Sequence, residues 1–163
     1  MHKIRLNDGY SVIVDDRDYQ AVVQHRWFVV KREHLAYAAA AINQNGKQKF
    51  VYMHRYILNT LPGLHIDHRN RNGLDNRRRN LRVCTVAENI RNQRVSKCNT
   101  SGFKGVSWAV HTKRWRSTIN KDGRQTHIGY FNDPISAAIA YNTAALRLHG
   151  AFALLNEIPG STK

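Results

Sequence analysis

Four polar residues near the middle of the chain have types and a spacing that suit metal-assisted hydrolysis. Asp67 and His68 are adjacent, Asn80 lies twelve residues after His68, and Asn89 lies nine residues after Asn80. An imidazole titrates near neutral pH, so His68 is a candidate general base. Carboxylate and amide oxygens are hard donors for a divalent cation, which makes Asp67 and Asn89 candidate ligands. Each residue alone would be an ordinary structural residue, and only the joint spacing predicts a site.

The segment that carries these residues has the pattern strand, loop, strand, helix. Residues 64–68 form a predicted strand, and residues 80–84 return as a second strand after a polar loop. Thr85 followed by Glu88 has the spacing of a capping box, which predicts a helix over residues 86–94. The four polar residues therefore fall on one short supersecondary unit.

This unit resembles the ββα-metal motif of HNH endonucleases, in the subtype found in phage and intron homing endonucleases. The match rests on the spacing above, on the upstream Met53-His54-Arg55-Tyr56, and on the Asn80-Leu81-Arg82 step. The family name implies a final histidine where this chain has Asn89, which weakens one ligand but keeps an oxygen donor.

The resemblance implies hydrolysis of phosphodiester bonds in DNA. His68 would be the general base, and Asn80 would hydrogen-bond the His68 ring or the backbone near it. Asp67 and Asn89 would hold one divalent cation, with Mg²⁺ expected and Mn²⁺ as the alternative. No small-molecule cofactor is expected.

The net charge of +15 is clustered along the chain. The middle segment, residues 54–95, has nine Arg against three acidic residues, and Arg can engage phosphate oxygens in a bidentate manner. Double-stranded DNA is therefore the expected partner, although a solvated run of charge is the plain alternative. Six arginines in the loop and the strand after it are expected to contact the DNA backbone: Arg69, Arg71, Arg77, Arg78, Arg79 and Arg82.

Residues 1–53 are predicted to form a β-rich platform. Asn7-Asp8-Gly9 and Asn45-Gly46 have the composition of hairpin turns, and residues 15–24 favour a short helix with Asp16 as its cap. No set of catalytic residues is evident in this segment.

Residues 103–163 are predicted to form three strands followed by one helix. Polar and apolar residues alternate along the strands, so one sheet face should be apolar and the other basic and polar. In the third strand, Ile128 and Tyr130 are assigned to the face opposite His127. Asp133-Pro134 begins the helix and Gly150 ends it. The residues expected on its inner side are Ile135, Ala138, Ile139, Ala145 and Leu146.

This last segment resembles the plant ethylene-response-factor (Apetala-2) DNA-binding domain over nearly its whole length. The matching residues are Phe103-Lys104-Gly105-Val106, Ile128-Gly129, Phe131, Ala137-Ala138, Ala140-Tyr141-Asn142, Gly150 and Asn156. That family lays its sheet in the major groove, which implies DNA contacts from Lys104, Arg114, Arg116, Thr118, Asn120, Gln125 and His127. The chain departs from the family pattern at Ser107 and His127, so the target sequence cannot be carried over. A sheet that binds another protein is the alternative.

The sequence thus predicts an α+β protein: a β-rich N-terminal segment with a ββα-metal nuclease motif, then a three-stranded antiparallel sheet packed on one helix. Residues 1–95 would be an HNH endonuclease domain with its ββα-metal core at about 54–95, residues 96–102 a linker, and residues 103–163 the DNA-binding domain. The expected function is that of a metal-dependent, homing-type DNA endonuclease. A non-catalytic, sequence-specific DNA-binding regulator is the alternative, but a protein that only binds DNA does not need the four-residue set.

The two cysteines, Cys84 and Cys98, with no secretory signal and no long apolar run, favour a cytoplasmic, intracellular location without a membrane role. The resemblance to phage homing endonucleases implies that the cell is bacterial or phage-infected. A zinc site would have to recruit His65 or His68 alongside both cysteines, and no close cysteine pair supports one. One catalytic segment per chain is compatible with a monomer or a homodimer.

Overall fold

The computed structural model describes residues 1–32, 35–44, 46–92, 95, 98–121 and 123–160. The fold is α+β, as the sequence predicts, and the chain divides into two compact units, Met1–Val86 and Ala87–Lys163. The division falls inside the helix Val86–Arg91, which the sequence places with the nuclease motif, so the domain and linker boundaries stay predictions. Within the described ranges, no helix is long and apolar enough to cross a bilayer.

The first unit is built from short antiparallel pairings and two short helices. Its first seven elements are β1 His2–Arg5, β2 Ser11–Val14, α1 Asp16–Val22, β3 Phe28–Arg32, β4 Leu35–Gln44, β5 Lys47–Tyr52 and α2 Met53–Leu58. β1 pairs with β2, and β3, β4 and β5 form a sheet in that order. The predicted turn at Asn7–Gly9 is present as a tight turn in which Asp8 has a positive φ of 57°. Asn45 of the second predicted turn lies outside the described residues.

Two details of this unit differ from the sequence prediction. The predicted cap of α1 is wrong by one residue, because the helix begins at Asp16 and Asp15 holds the extended position before it. The Asp15 carboxylate instead accepts a hydrogen bond from the backbone N–H of Arg78 at 2.8 Å. The second difference is α2, a helix that begins at the end of the segment for which the sequence predicted a β-rich platform.

One apolar core joins the N-terminal platform to the nuclease motif. Val12 and Val14 of β2, Ala38 of β4 and Met53 of α2 are buried in the same cluster as Leu81. Leu81 begins the second strand of the motif, so this strand packs against elements formed by the first 53 residues.

The strand–loop–strand–helix order predicted for the middle segment is confirmed. Its elements are β6 His65–His68, β7 Leu81–Cys84 and α3 Val86–Arg91, and β6 pairs antiparallel with β7. The loop between the strands is anchored to β2. Ile13 donates its N–H to Leu74 O at 2.9 Å, and Asn76 donates its N–H to Ile13 O at 2.8 Å. The loop is thus held by backbone bonds as well as by its own turns.

The second unit contains the three strands and the helix that the sequence predicts. They are β8 Val106–Ala109, β9 Arg114–Lys121, β10 Arg124–Phe131 and α4 Pro134–His149, with the strands in the order β10-β9-β8. Asp133 caps α4 by accepting a hydrogen bond from the Ser136 N–H at 2.8 Å, and Gly150 ends the helix at a positive φ of 51°. Both predicted ends of the helix are therefore correct.

The predicted inner face of α4 is wrong for its large residues. Ile135, Ile139 and Leu146 are 38%, 49% and 56% exposed, whereas Ala138 and Ala145 are buried as expected. The other residues that the helix buries are Ala137, Tyr141 and His149. The sheet already fills this space with large side chains such as those of Trp115 and Phe131, so alanines on the facing helix allow close packing.

Candidate active site and nucleic-acid interface

Asp67 and His68 are brought to the buried end of β6 by its pairing with β7. Asp67 lies opposite Arg82 and His68 lies opposite Leu81 in the antiparallel register. Asp67 is 6% and His68 5% exposed. Burial of two polar side chains at adjacent positions is costly unless neighbouring groups satisfy them, so their contacts define the site.

The Asp67 carboxylate is bound by Arg82. Arg82 donates from Nε to Asp67 Oδ2 at 2.7 Å, and its Nη2 lies 2.5 Å from the same oxygen. Both side chains are almost fully buried, at 7% and 8% exposure. Arg82 was expected to contact the DNA backbone. Its position inside the hairpin gives it a structural role, and the DNA contact stays a prediction.

Asn76 and a group of aromatic rings surround His68. His68 Nε2 lies 3.4 Å from Asn76 Oδ1. The His54 ring meets the His68 ring at 90° with centroids 5.2 Å apart, and the Tyr37 ring is 5.8 Å away. Burial lowers the pKa of His68, while the Asn76 hydrogen bond and the Asp67 carboxylate act in the opposite direction. The neutral imidazole is therefore favoured near neutral pH.

His54 is a second buried histidine in the same cluster. Its ring stacks on Tyr52 with centroids 5.4 Å apart, and among the described residues its Nδ1 has no hydrogen-bond partner. Burial, followed by the nearby His68 and Arg55, lowers the pKa of His54 to about 3. His54 is consequently neutral at neutral pH.

The Asn80 side chain hydrogen-bonds the loop between β6 and β7 rather than the His68 ring. Its Oδ1 accepts a hydrogen bond from the Asn70 N–H at 3.0 Å, and its Nδ2 donates to Asn70 Oδ1 at 3.0 Å and to Asp75 O at 2.7 Å. Of the two arrangements left open by the sequence, the structure shows the one in which Asn80 bonds backbone close to His68.

The other arginines of the motif divide into two groups. Arg77 pairs with buried Asp75, with its Nε donating to Oδ1 at 2.7 Å, and Arg78 pairs with Asp18, with its Nη2 donating to Oδ1 at 2.8 Å. The Arg77 hydrogen bonds lower the pKa of Asp75. The second group is more accessible, with Arg69 and Arg79 exposed and Arg71 half-buried. The accessible group is better placed to meet phosphate, although all these DNA contacts stay predictions.

The outer face of the second unit's sheet gathers the predicted DNA-reading residues. In the register of β9 with β10, Gln125 lies beside Asn120 and His127 beside Thr118. Arg114 and Arg116 extend this face along β9, and both are exposed. The predicted residues of this face are thus brought together: Arg114, Arg116, Thr118, Asn120, Gln125 and His127.

Lys104 precedes the sheet and is half-buried. Its Nζ donates to Arg91 O at 2.6 Å and its backbone N–H donates to Asn156 Oδ1 at 2.6 Å. These bonds place Lys104 in the internal structure of the second unit, and its predicted DNA contact is untested.

A β-bulge adds Tyr130 to the outer face and corrects its assignment. The register shifts between His127 and Gly129, so Tyr130 pairs with Arg116 and shares its face. The Tyr130 ring lies 4.6 Å from the His127 ring and is 43% exposed. The prediction that Tyr130 lies opposite His127 is therefore wrong. The glycine inside the strand pattern, Gly129, was the available signal of a bulge.

Comparisons with known proteins find similarities both to an HNH endonuclease family and to plant AP2-like proteins. A family model described as HNH endonuclease matches residues 60–91. Protein 3.8 of Escherichia phage T7 is 36% identical over 91 residues, which are 56% of this chain and 74% of that protein. The chain belongs to the family of phage T7 Protein 3.8, and its residues 60–91 match the HNH endonuclease family. This membership supports a DNA nuclease.

Plant proteins match a part of the HNH protein over a shorter length. AP2-like ethylene-responsive transcription factor TOE2 of Arabidopsis thaliana is 33% identical over 70 residues, which are 43% of this chain and 14% of that protein. APETALA2-like protein 2 of Oryza sativa subsp. indica is 34% identical over 64 residues, which are 39% of this chain and 15% of that protein. The HNH protein therefore also has an AP2-type DNA-binding region. It spans only a small fraction of these plant proteins.

The HNH motif offers hard donors to a metal ion, but its described residues do not form a complete set of ligands. Asp67 supplies one carboxylate, and Asn89, on α3, belongs to the second unit. Among the described residues, no three His, Cys, Asp or Glu side chains cluster as metal ligands, so the zinc alternative gains no support. Mg²⁺ commonly uses one or two carboxylates together with water and phosphate oxygens, so the donor type fits this ion.

Sequence reasoning missed two buried residues of the HNH site, Asn76 and His54, as parts of the surroundings of His68. His54 lies in the family-like tetrapeptide at residues 53–56, which was a signal for its position but not for a role. Asn76 lies in the same loop as Asn80, and the sequence carried no signal that selects it.

Proposed function

We propose that this HNH protein is a metal-dependent DNA endonuclease of the homing type, whose AP2-type sheet selects the cleavage site. The observation that carries the proposal is the buried His68 beside Asp67 at the end of β6, inside the segment matched by the HNH endonuclease model. A DNA-binding sheet in the same chain supplies the substrate class.

His68 would act as the general base. Because burial lowers its pKa, the imidazole is neutral at neutral pH and can take a proton from the water that attacks the phosphate. Asn80 and the bonds to β2 would keep the loop that follows His68 in place. A divalent cation held by Asp67 and Asn89, Mg²⁺ or alternatively Mn²⁺, would supply Lewis acidity at the scissile phosphate.

Site selection would come from the outer face of the β8–β9–β10 sheet. Basic and amide side chains such as Arg116 and Asn120 suit phosphates and the edges of bases in the major groove. The exposed Arg69 and Arg79 would add backbone contacts near the cleavage site. No small-molecule cofactor is part of the proposal.

A non-catalytic DNA-binding regulator is the second candidate. It is favoured by the likeness to one plant protein named as a transcription factor, and by the salt bridge of Asp67 with Arg82, which occupies a carboxylate oxygen that a metal would use. A regulator of this kind would bind DNA without nicking it under any metal condition.

Incubation of supercoiled plasmid with the protein distinguishes the two candidates. We expect nicking with Mg²⁺ and none with a chelator, and His68→Ala should lower the single-turnover rate by about 10²–10⁴-fold at unchanged DNA affinity. His65→Ala is the matched control, since His65 lies on the same strand outside the proposed chemistry, and it should keep most of the rate. Equal cleavage by wild type and His68→Ala, or cleavage in chelator, would refute the proposal.

The proposal includes a place and an assembly state. The enzyme would act inside a bacterial or phage-infected cell, as a monomer that nicks one strand or as a homodimer that cuts both. The mass of the protein–DNA complex in solution, read beside the ratio of nicked to linear plasmid, tests this pairing.

A further inference from the structure

Asn76 is buried inside the loop between β6 and β7 and is fixed there by β2. It is 0% exposed, and its N–H donates to Ile13 O at 2.8 Å. Ile13 in turn donates its N–H to Leu74 O at 2.9 Å. Two backbone hydrogen bonds to Ile13, one from Asn76 and one to Leu74, therefore hold the loop segment that carries the Asn76 side chain.

The orientation of the Asn76 amide follows from its neighbours. Nδ2 donates to Gly73 O at 3.4 Å, and Oδ1 faces His68 Nε2 at 3.4 Å. The reversed amide would put Oδ1 against the Gly73 carbonyl oxygen, where neither atom can donate. Because an amide oxygen only accepts, His68 Nε2 is the donor in this contact.

Aromatic neighbours limit rotation of the His68 ring. The His54 ring lies perpendicular to it at 5.2 Å, and the Tyr37 ring is tilted by 54° at 5.8 Å. Because these rings pack against the imidazole, they resist a flip of the His68 ring. Such a flip would place a ring carbon instead of Nε2 opposite Asn76 Oδ1. The orientation of the Asn76 amide and the orientation of the His68 ring therefore both favour the contact between Nε2 and Oδ1.

We propose that Asn76 is a positioning residue that fixes the neutral His68 ring in the tautomer with its proton on Nε2, so that Nδ1 is the atom that accepts a proton during cleavage. The role in cleavage rests on the proposed function, whereas the tautomer does not. In the cleavage step, a water proton passes to Nδ1 as the water oxygen bonds to phosphorus. The bond from phosphorus to the leaving oxygen breaks, and that oxygen keeps the electron pair and takes a proton from solvent.

Nitrogen NMR of the full-length protein labelled at histidine reads the tautomer directly. The His68 signals are assigned by their loss in His68→Gln. In wild-type protein at about pH 7.5, without metal or DNA, we expect Nε2 to be protonated and Nδ1 to be the bare nitrogen. A ring protonated on Nδ1 in wild type overturns the inference, and this result needs no variant that could fail to fold.

Two variants separate selection of the tautomer from support of the loop. Asn76→Ala should give a mixed tautomer signal and lower the single-turnover cleavage rate by roughly 2- to 10-fold, the factor expected for one net hydrogen bond, with unchanged DNA affinity. Asn80→Ala removes loop hydrogen bonds that do not touch the ring, so it should keep the wild-type tautomer signal. An unchanged His68 signal in folded Asn76→Ala, or the same mixed signal in Asn80→Ala, overturns the role of Asn76.

The failures of the two proposals are distinguishable. Wild-type protein that never cuts DNA but shows the Nε2-protonated ring overturns the proposed nuclease and supports the tautomer. An active wild-type nuclease with an Nδ1-protonated ring supports the nuclease and overturns the role of Asn76.

Discussion

Mild acid should destabilise the first unit through His54. The pKa of this buried imidazole is about 3 in the folded protein, against an ordinary value of 6.5. Below pH 6.5 His54 is protonated in the unfolded chain but stays neutral in the folded protein. Protonation therefore stabilises the unfolded state relative to the folded one. The stabilisation by neutral His54 is therefore complete above pH 6.5 and is lost progressively as the pH falls towards 3.

The size of the stability loss depends on how far the pH lies below the ordinary pKa of His54. At about pH 5, one and a half units below 6.5, the loss from His54 is about 2 kcal/mol, at 1.36 kcal/mol per unit. Burial lowers the pKa of His68 as well, which adds to the loss in the same direction. The carboxylate of Asp75 has a lowered pKa and weakens the fold only below its ordinary 3.8, so it does not contribute to the loss at about pH 5.

Urea unfolding at about pH 7.5 and pH 5, with hydrogen exchange read peptide by peptide, measures this loss for each unit separately. Wild type should lose about 2 kcal/mol or more in peptides of the first unit, and His54→Phe, which keeps an aromatic ring on Tyr52, should lose about 2 kcal/mol less. His149→Phe is the matched control, since His149 is equally buried in the second unit and its effect should be confined there. The reasoning fails if His54→Phe loses as much stability as wild type.

Three further predictions concern the salt bridge, the metal and the sheet. Asp67→Ala should lower the free energy of unfolding of the first unit by about 3–5 kcal/mol in urea, because it deprives a buried guanidinium of its carboxylate partner. Replacement of both Asp67 and Arg82 by Leu should recover much of this loss. An unchanged stability of Asp67→Ala would contradict the prediction. Asn89→Ala should abolish cleavage at limiting Mg²⁺ while DNA affinity is kept, and full turnover there would remove Asn89 from the site. Tyr130→Ala should weaken DNA binding in a titration by roughly 5- to 30-fold, equivalent to about 1–2 kcal/mol, whereas Ile139→Ala on the opposite side of the second unit should not.

Local patterns were sufficient to predict the elements that carry the site. The strand ending at His68 and the strand beginning at Leu81 are short, bounded by turn-forming residues, and confirmed with small shifts of their ends. The ends of α4 were also predictable, because Asp133, Pro134 and Gly150 act through their own backbone geometry. In each case the determining interaction lies within a few residues along the chain.

Interactions between distant segments were not predictable from those patterns. The bulge at β10 moves Tyr130 across the sheet, and a strict two-residue alternation cannot represent that shift. The inner face of α4 was misassigned because large apolar residues outweigh alanines in a periodicity argument, whereas the facing sheet favours alanines. Asn76 and His54 gain their positions from the docking of a loop on β2 and of α2 on the sheet, which no local spacing records.

The first 53 residues, for which the sequence indicated only a platform, have a direct connection to the proposed base. β2 holds the loop that presents Asn76 to one side of the His68 ring, and β4 supplies Tyr37 to another. β5 leads into α2, where His54 stands between Tyr52 and His68. A short ββα motif has too small a core to hold a buried histidine in one orientation, since ordering side chains costs free energy that burial must offset. The platform provides that burial, so substitutions in β2 that preserve the fold should alter cleavage more than DNA binding.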